Sequence, residues 1–250
     1  MIKVLINGCN GKMGQEVAKI VNVDNDCVLL GGVDKENTGE YTFPVYTNYE
    51  DIKETPDIII DFSVPVATMN ILKYAKREHV PVVIATTGFT EEQNAEIKEF
   101  AKEIPIFKSA NMSFDINLMC RIVSNLAQIL KGNDIEIVET HHNRKIDSPS
   151  GTAMLLADSI NKALDNSMSY EFDRHSKHEK RSKNEIGISS IRGGNIVGEH
   201  SVIFFSENES FEIKHTSYSR SVFADGAVKA AKFMVESKFE NGMYDMNDIK

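Results

Sequence analysis

The stretch Ile2-Lys3-Val4-Leu5-Ile6-Asn7-Gly8-Cys9-Asn10-Gly11-Lys12-Met13-Gly14 decides the architecture. Val4, Leu5 and Ile6 form a short apolar run of strand size, and the glycines after them mark a turn. Met13, Val17, Ile20 and Val21 then recur at the spacing of one helix face. Glycines in such a strand-to-helix turn let the backbone bend tightly and approach a pyrophosphate, whose charge meets N–H groups at the helix N-terminus. Gly8, Gly11 and Gly14 are spaced G-x-x-G-x-x-G rather than G-x-G-x-x-G, so the context carries the reading. A second strand is expected over 27–34, and Asp34 closes it 20 residues beyond Gly14, where a carboxylate can accept hydrogen bonds from an adenosine ribose. The alternative is a structural glycine turn with an exposed Asp34.

Lys35 follows Asp34 directly. The carboxylate favours a free 2′-hydroxyl and the ammonium a 2′-phosphate, each worth about 4 kcal/mol before solvation at ~4 Å and an effective dielectric near 20. Neither sign wins, so both NADH and NADPH are expected.

Outward from this unit, strands are expected over 57–62, 80–85 and 104–108, and helices over 67–77 and 91–102. Strand and helix alternating over residues 1–110 imply an α/β doubly wound parallel sheet, whose strands are apolar throughout because both faces are buried. Ala85-Thr86-Thr87-Gly88 and Ser109-Ala110-Asn111-Met112 follow two of the strands. Turns at such carboxyl ends are where these sheets bind ligands, so both could line the nicotinamide half of a cofactor; each is equally compatible with a plain loop.

Beyond residue 113 the rhythm changes. Helices are expected over 115–130 and 152–164, with strands over 135–140, 187–192, 200–206 and 210–217, which suggests an inserted α+β domain. The polar stretch 165–187, with its charges around Arg174–Arg181, reads as a mobile loop or long connection. The Ala-rich helix expected over 224–236 could pack back on the first domain.

The chain has 250 residues and a net charge of −9, from 28 Lys plus Arg against 37 Asp plus Glu. It is not built as a whole to hold nucleic acid or an anionic membrane, although a local basic patch is compatible with that charge. Three scattered cysteines, Cys9, Cys27 and Cys120, offer neither a disulfide framework nor metal spacing. With no signal peptide or membrane span in the pattern, a cytoplasmic protein is expected.

The densest chemistry lies in His141-His142-Asn143-Arg144-Lys145-Ile146-Asp147-Ser148-Pro149-Ser150-Gly151-Thr152, between a strand end and a helix start. Histidine exchanges protons near neutral pH, Arg144 and Lys145 supply positive charge, and Ser150-Gly151-Thr152 present N–H groups at a helix N-terminus. The loop reads as an anion pocket with a proton donor. A polar helix cap with surface histidines remains open on spacing alone, and Asp147 suits a helix N-terminal charge as well as a catalytic group. No neighbouring Cys, Asp or Glu cluster supports a metal site at His141 and His142. His79, His175, His178, His200 and His215 stand isolated or in polar stretches and read as structural or solvated.

Together these segments resemble the bacterial 4-hydroxy-tetrahydrodipicolinate reductases, also called dihydrodipicolinate reductases, of lysine and diaminopimelate synthesis. The resemblance runs through GCNGKMG at 8–14, DFSVP at 61–65, ATTGF at 85–89, SANMS at 109–113 and IEIVETHHNRKIDSPSGTA at 135–153, then IRGGNIVGEH at 191–200 and SRSVFADGA at 219–227. It implies a homotetramer in which a Rossmann-like dinucleotide-binding domain spans 1–113. A substrate-binding and oligomerisation α+β domain with a mixed sheet spans 114–219, and 220–250 returns to the first domain. It also implies that His141 is the proton donor and acceptor and Lys145 a second proton donor. His142, Gly151 and Thr152 would hold the carboxylates of a cyclic dicarboxylate. NADH or NADPH would lie along Gly8, Cys9, Asn10, Gly11, Lys12, Met13, Asp34, Lys35, Ala85, Thr86, Thr87, Ser109, Ala110, Asn111 and Met112, with no metal. Members commonly carry Gly where this chain has Ala85 and Phe where it has Met112; the methyl of Ala85 could narrow the approach to the nicotinamide. A catalytically silent nucleotide sensor would lack His141 or Lys145, and both are present.

Overall fold

The structure, a computed structural model, describes residues 1–38, 41–109, 111–237 and 239–249. Along the chain β1 (Ile2–Asn7) is followed by α1 (Lys12–Val23), β2 (Cys27–Val33), β3 (Val45–Tyr46), β4 (Ile58–Asp61), α2 (Pro65–Glu78), β5 (Val82–Ile84), α3 (Glu91–Phe100) and β6 (Pro105–Lys108). Next come α4 (Phe114–Ile129), β7 (Asp134–His141), α5 (Gly151–Ala163), β8 (Ser169–Glu171), β9 (Glu185–Arg192), β10 (Gly198–Phe205) and β11 (Ser210–Ser217). The chain closes with α6 (Ser221–Ser237) and β12 (Gly242–Tyr244). It divides into two units, Met1–Ser113 with Ser221–Lys250, and Phe114–Arg220.

The first unit is a Rossmann-like α/β layer structure around a seven-stranded sheet in the order β12-β6-β5-β4-β1-β2-β3, with every pairing parallel. Side chains alternate across a strand, so an unbroken apolar strand serves two cores. Val4, Ile6, Ile58 and Ile60 pack with Val17 and Val21 of α1 and with Ala227 and Ala231 of α6. Leu5 and Ile59 pack with Ile71 and Leu72 of α2 and with Ile97 of α3. Winding reverses at β1, whose neighbours are β2 and β4, and the crevice outside their carboxyl ends is the ligand position of such sheets.

Helix α2 starts at Pro65, earlier than periodicity suggested, because proline suits the first helical position, where an N–H has no intrahelical partner. The two-residue β3 and three-residue β12 were not anticipated, since so few positions show no alternation and are held by their neighbours' backbones.

The second unit is a mixed sheet in the order β11-β10-β7-β9-β8, parallel at β7–β9 and β8–β9 and antiparallel at β7–β10 and β10–β11. Helices α4 and α5 cover one face through Val123, Leu156 and Ile160, against Ile135, Ile137, Ile188 and Phe204. Strand β7 alternates strictly, burying Ile135, Ile137, Glu139 and His141 on that side. The stretch expected as a mobile loop or long connection over 165–187 carries β8 and the start of β9. It is pinned by Arg181, which donates to the carbonyls of Ile135 and Glu185 at 2.8 Å each and to Asp134 Oδ1 at 3.0 Å. One long polar side chain thus does there what an apolar stripe does elsewhere, and periodicity does not register it.

Candidate active site

At the carboxyl end of β1, Gly8 has φ +85°, and a Cβ on it would lie 2.6 Å from the Phe62 carbonyl oxygen. Only glycine fits this turn. Helix α1 begins after Gly11 with no side-chain cap and no acidic residue in its first turn, so its own residues do not neutralise its positive end. Asp34 bridges the backbone: Asn10 N–H donates to Oδ2 and Lys35 N–H to Oδ1, both at 2.8 Å. Cys9 is fully buried and its thiol is pushed up to about 12, chiefly by desolvation, so only its backbone faces the turn chemistry.

Three of these loops converge on Asp61, the last residue of β4, which is fully buried. Its Oδ1 accepts from Asn7 Nδ2 at 2.7 Å and Ser63 Oγ at 2.5 Å, and its Oδ2 from Thr68 Oγ1 at 2.6 Å and Thr86 Oγ1 at 2.8 Å. Burial pushes this carboxyl above the ordinary carboxylate range, against the pull of the four hydrogen bonds. The carboxylate thus ties the start of the glycine turn to the turn at Ala85, Thr86 and Thr87. In the 109–112 turn, Asn111 Oδ1 accepts from Ser113 N–H at 2.8 Å and Ser109 Oγ donates to the Asn111 carbonyl at 2.8 Å. Met112 is buried in the core beside α6, and Ala110 lies outside the described residues.

In the second unit a buried polar cluster occupies the end of the β7 face. His141 Nδ1 lies 2.5 Å from Glu139 Oε2. Strand register brings Arg192 of β9 opposite His141, and its Nη1 and Nη2 donate to Glu139 Oε2 and Oε1 at 2.8 and 2.7 Å. Ser150 N–H donates to Glu139 Oε1 at 3.1 Å, and Arg192 Nη2 also donates to the Asp147 carbonyl at 2.8 Å. Burial pushes the Glu139 carboxyl up, but hydrogen bonds from Arg192, Ser190 and His141 outweigh it and hold the group at about 2. His200, opposite Glu139 on β10, lies edge-on to His141 with ring centres 5.1 Å apart. Burial and the neighbouring His141 depress it to about 3.

The loop after β7 is pinned to the 193–195 turn: Gly193 N–H donates to the His141 carbonyl at 2.9 Å and Arg144 Nη1 to Asn195 Oδ1 at 2.8 Å. Lys145 pairs with both oxygens of Asp147 at 2.8 Å, which makes Asp147 a partner of the lysine upstream of α5. Arg220 Nη2 lies 3.2 Å from His142 Nε2. Ser150 caps α5, its Oγ accepting from Ala153 N–H at 3.1 Å, so Gly151 and Thr152 sit in a first turn that carries no acidic residue. Within this unit His141 ends β7, and His142 and Lys145 lie in the loop that leads through Ser150, bonded to Glu139, into Gly151 and Thr152 at the start of α5.

Sequence reading gave Glu139, Arg192 and Asp61 no role and took His200 as structural or solvated. The first had a usable signal: residues two apart on a strand share a face, and Glu139 stands two before His141. Among the described residues, no three or more His, Cys, Asp and Glu are grouped to hold a metal. No described helix is long and apolar enough to cross a membrane.

Residues 2–112 match the family model described as dihydrodipicolinate reductase, N-terminus, and residues 115–249 the one described as dihydrodipicolinate reductase, C-terminus. The 4-hydroxy-tetrahydrodipicolinate reductase of Caldanaerobacter subterraneus subsp. tengcongensis is 50% identical over 249 residues, covering 100% of this chain and 98% of that protein. That of Clostridium tetani is 46% identical, covering 99% and 96%. Among solved structures, dipicolinate-bound dihydrodipicolinate reductase from Paenisporosarcina sp. TG-14 matches with a TM-score of 0.81 at 27% identity, covering 100% of both chains. The diaminopimelate dehydrogenase of C. glutamicum, at 13% identity and a TM-score of 0.58 over 100% of this chain and 94% of that one, shares the fold alone. With both halves of the chain matched to one family and full-length relatives at half identity, the chain is an enzyme belonging to the dihydrodipicolinate reductase family.

Proposed function

We propose that the chain reduces 4-hydroxy-tetrahydrodipicolinate, by way of dihydrodipicolinate, to tetrahydrodipicolinate with NADH or NADPH. The observation that carries this reading is the Glu139-bound His141 beside the Lys145 loop and the N-terminus of α5. The Paenisporosarcina relative binds dipicolinate, a ring with two carboxylates, and a dicarboxylate is what a cationic loop with a helix N-terminus suits.

The family's Rossmann-type fold implies a nicotinamide cofactor, and the residues present fit one. The side-chain-free cradle at Gly8 and the uncapped start of α1 suit a pyrophosphate. Gly8, Cys9, Asn10, Gly11, Lys12 and Met13 would hold that pyrophosphate, and Asp34 and Lys35 the adenosine ribose. Ala85, Thr86 and Thr87, with the 109–112 turn, would hold the nicotinamide half. Asp34 retains lone pairs beyond those used by Asn10 and Lys35, so it can still accept from a ribose hydroxyl. When bound, the reduced cofactor supplies a hydride to ring C4 of the substrate.

His141 completes the reduction by protonating the adjacent ring carbon, and Lys145 is the second proton donor. Positive charge from Lys145 also stabilises electron density developing on the conjugated ring. His142, Gly151 and Thr152 hold the carboxylates and fix the ring, and such positioning lowers a barrier by several kcal/mol. This chemistry calls for no metal. We place the enzyme in the cytoplasm as a homotetramer; Ile191 and Phe205, exposed on the face of the second sheet away from α4 and α5, suit burial between subunits.

The test follows loss of reduced-nicotinamide absorbance, with substrate generated in situ by the preceding synthase and NADH and NADPH compared side by side. Rapid, synthase-dependent oxidation is expected, and the ratio of the two rates reads the balance between Asp34 and Lys35. No oxidation with either cofactor, from folded protein that still binds nucleotide, would overturn the proposal.

A further inference from the structure

Glu139 and Arg192 have no assigned step in the proposed reaction, yet they form a densely hydrogen-bonded polar group in the second unit. Glu139 is fully buried and accepts from Arg192 twice, from Ser150 N–H and from His141, while Arg192 reaches on to the Asp147 carbonyl. A buried carboxylate held by an arginine fork is ionised, and an ionised carboxylate only accepts. The proton between Glu139 and His141 therefore belongs to Nδ1 of the ring.

On the ring's other side, Gly198 of β10 has no side chain, and a Cβ there would lie 2.9 Å from His141 Nε2, nearer than to any ring carbon. The missing side chain keeps the space beside Nε2 open. We infer that Glu139, clamped by Arg192, is a positioning residue that fixes the tautomer of His141, with Nδ1–H bound and Nε2 as the atom that gives up the proton. In the step this serves, the Nε2–H bond of the imidazolium breaks, its electron pair stays on nitrogen, and the proton completes the new C–H bond. Neutral imidazole remains with Nδ1–H on Glu139 and is reprotonated at Nε2 from solvent. This deepens the proposed role of His141 and rests on it.

The charged and titratable groups around the ring are Glu139 on its own strand, Arg192 on β9, His200 on β10 with His215 behind it on β11, and His142, Arg144, Lys145, Asp147 and Arg220 on or beside the loop. Of these, Glu139 is the group bonded to Nδ1. In Glu139→Gln the amide has one acceptor and one donor face. Arg192 Nη2 and Ser150 N–H both donate at the Oε1 position, so the amide oxygen takes that place and the NH₂ takes that of Oε2, where it gives up the Arg192 Nη1 bond and faces Nδ1, which then must accept. That reverses the tautomer with almost no change of shape.

The experiment labels histidines with ¹⁵N and reads ring-nitrogen shifts across pH in the full-length protein, assigning His141 by its loss in His141→Gln. Expected is neutral His141 protonated on Nδ1 in the wild type and on Nε2 in Glu139→Gln. In the variant kcat falls about 10²–10⁴-fold, while KM and the nucleotide Kd stay within about twofold. Neutral His141 protonated on Nε2 in the wild type overturns the inference without any variant. So does Glu139→Gln turning over within about threefold of wild type while its tautomer is reversed. Full turnover by His141→Gln instead overturns the donor role itself, whichever tautomer the wild type shows.

Discussion

Removing the Asp61 carboxylate separates its role as a hydrogen-bond hub from the cost of burying it. In Asp61→Ala four donors lose their acceptor, but not equally. Thr68 Oγ1 and Ser63 Oγ each have the Val64 carbonyl within reach, at 3.3 and 3.4 Å. Asn7 Nδ2 keeps only a 3.0 Å contact to Ser63 Oγ, and the Thr86 hydroxyl, whose oxygen already accepts from Ser63 N–H at 2.9 Å, keeps no acceptor for its proton. Two buried polar groups left short at about 1–3 kcal/mol each give a loss of about 2–6 kcal/mol. Asp61→Asn behaves differently: its carbonyl still serves Asn7 and Ser63, its NH₂ donates to the two threonine hydroxyl oxygens, Thr68 turns its proton to the Val64 carbonyl, and the Thr86 proton is left short. Burial raises the Asp61 carboxyl, so the folded state binds this proton more readily than the unfolded chain does. The associated stability is present below the ordinary carboxylate range and is lost as pH rises through the raised value. Asn carries no charge to desolvate, so Asp61→Asn costs no more than the about 1–3 kcal/mol of the one Thr86 proton at neutral pH, less than Asp61→Ala, and lacks that pH dependence. Urea unfolding at pH 7, with and without reduced nucleotide, measures both, and Asp61→Ala also weakens nucleotide binding because Asn7 and Thr86 are no longer tied together. An Asp61→Ala loss below about 1 kcal/mol, or an Asp61→Asn loss as large as that of Asp61→Ala, refutes the hub reasoning.

Gly8→Ala, at φ +85° against the Phe62 carbonyl, costs about 1–3 kcal/mol and lowers nucleotide affinity; thermal melting with and without NADH or NADPH checks both. His141→Gln lowers kcat about 10²–10⁴-fold with nucleotide Kd unchanged, read by steady-state kinetics and fluorescence titration. His200, held at about 3 by burial, is neutral when folded and charges on unfolding. The unfolded chain therefore binds more protons below about pH 6.5, and stability falls on acidification from there by up to about 1.4 kcal/mol per pH unit. His200→Gln flattens that slope between pH 6.5 and about 4.5, above the window in which Glu139 contributes, and denaturation at stepped pH reads the difference.

What was legible in the sequence was local. Val4, Leu5 and Ile6 needed cover on two faces, Gly8, Gly11 and Gly14 marked the strand-to-helix turn, and Asp34 stood one strand away. The HHNRKIDSPSGTA segment put proton donors, cations and a helix start within one loop because they are neighbours in the chain. Periodicity also placed α4, β7 and α5 to within a residue or two, since each buries a whole face, and β11 was placed as well although none of its residues is fully buried. It failed where burial gave no rhythm: at β3 and β12, too short to alternate, and at β8, in a stretch held by Arg181.

The partners of the site residues came from tertiary structure alone. Glu139 meets Arg192 only because β7 pairs with β9 in a register that sets Arg192 opposite His141, across a separation of 53 residues. Asp61 gathers Asn7, Ser63, Thr68 and Thr86 only because β1, β4 and β5 end side by side. The sequence by itself determined which groups could donate protons, carry charge and turn the backbone, because those are properties of residue types and near neighbours. Tertiary structure decided which proton sits on which atom, because that depends on a buried acceptor delivered by another strand, whose strength comes from the exclusion of water.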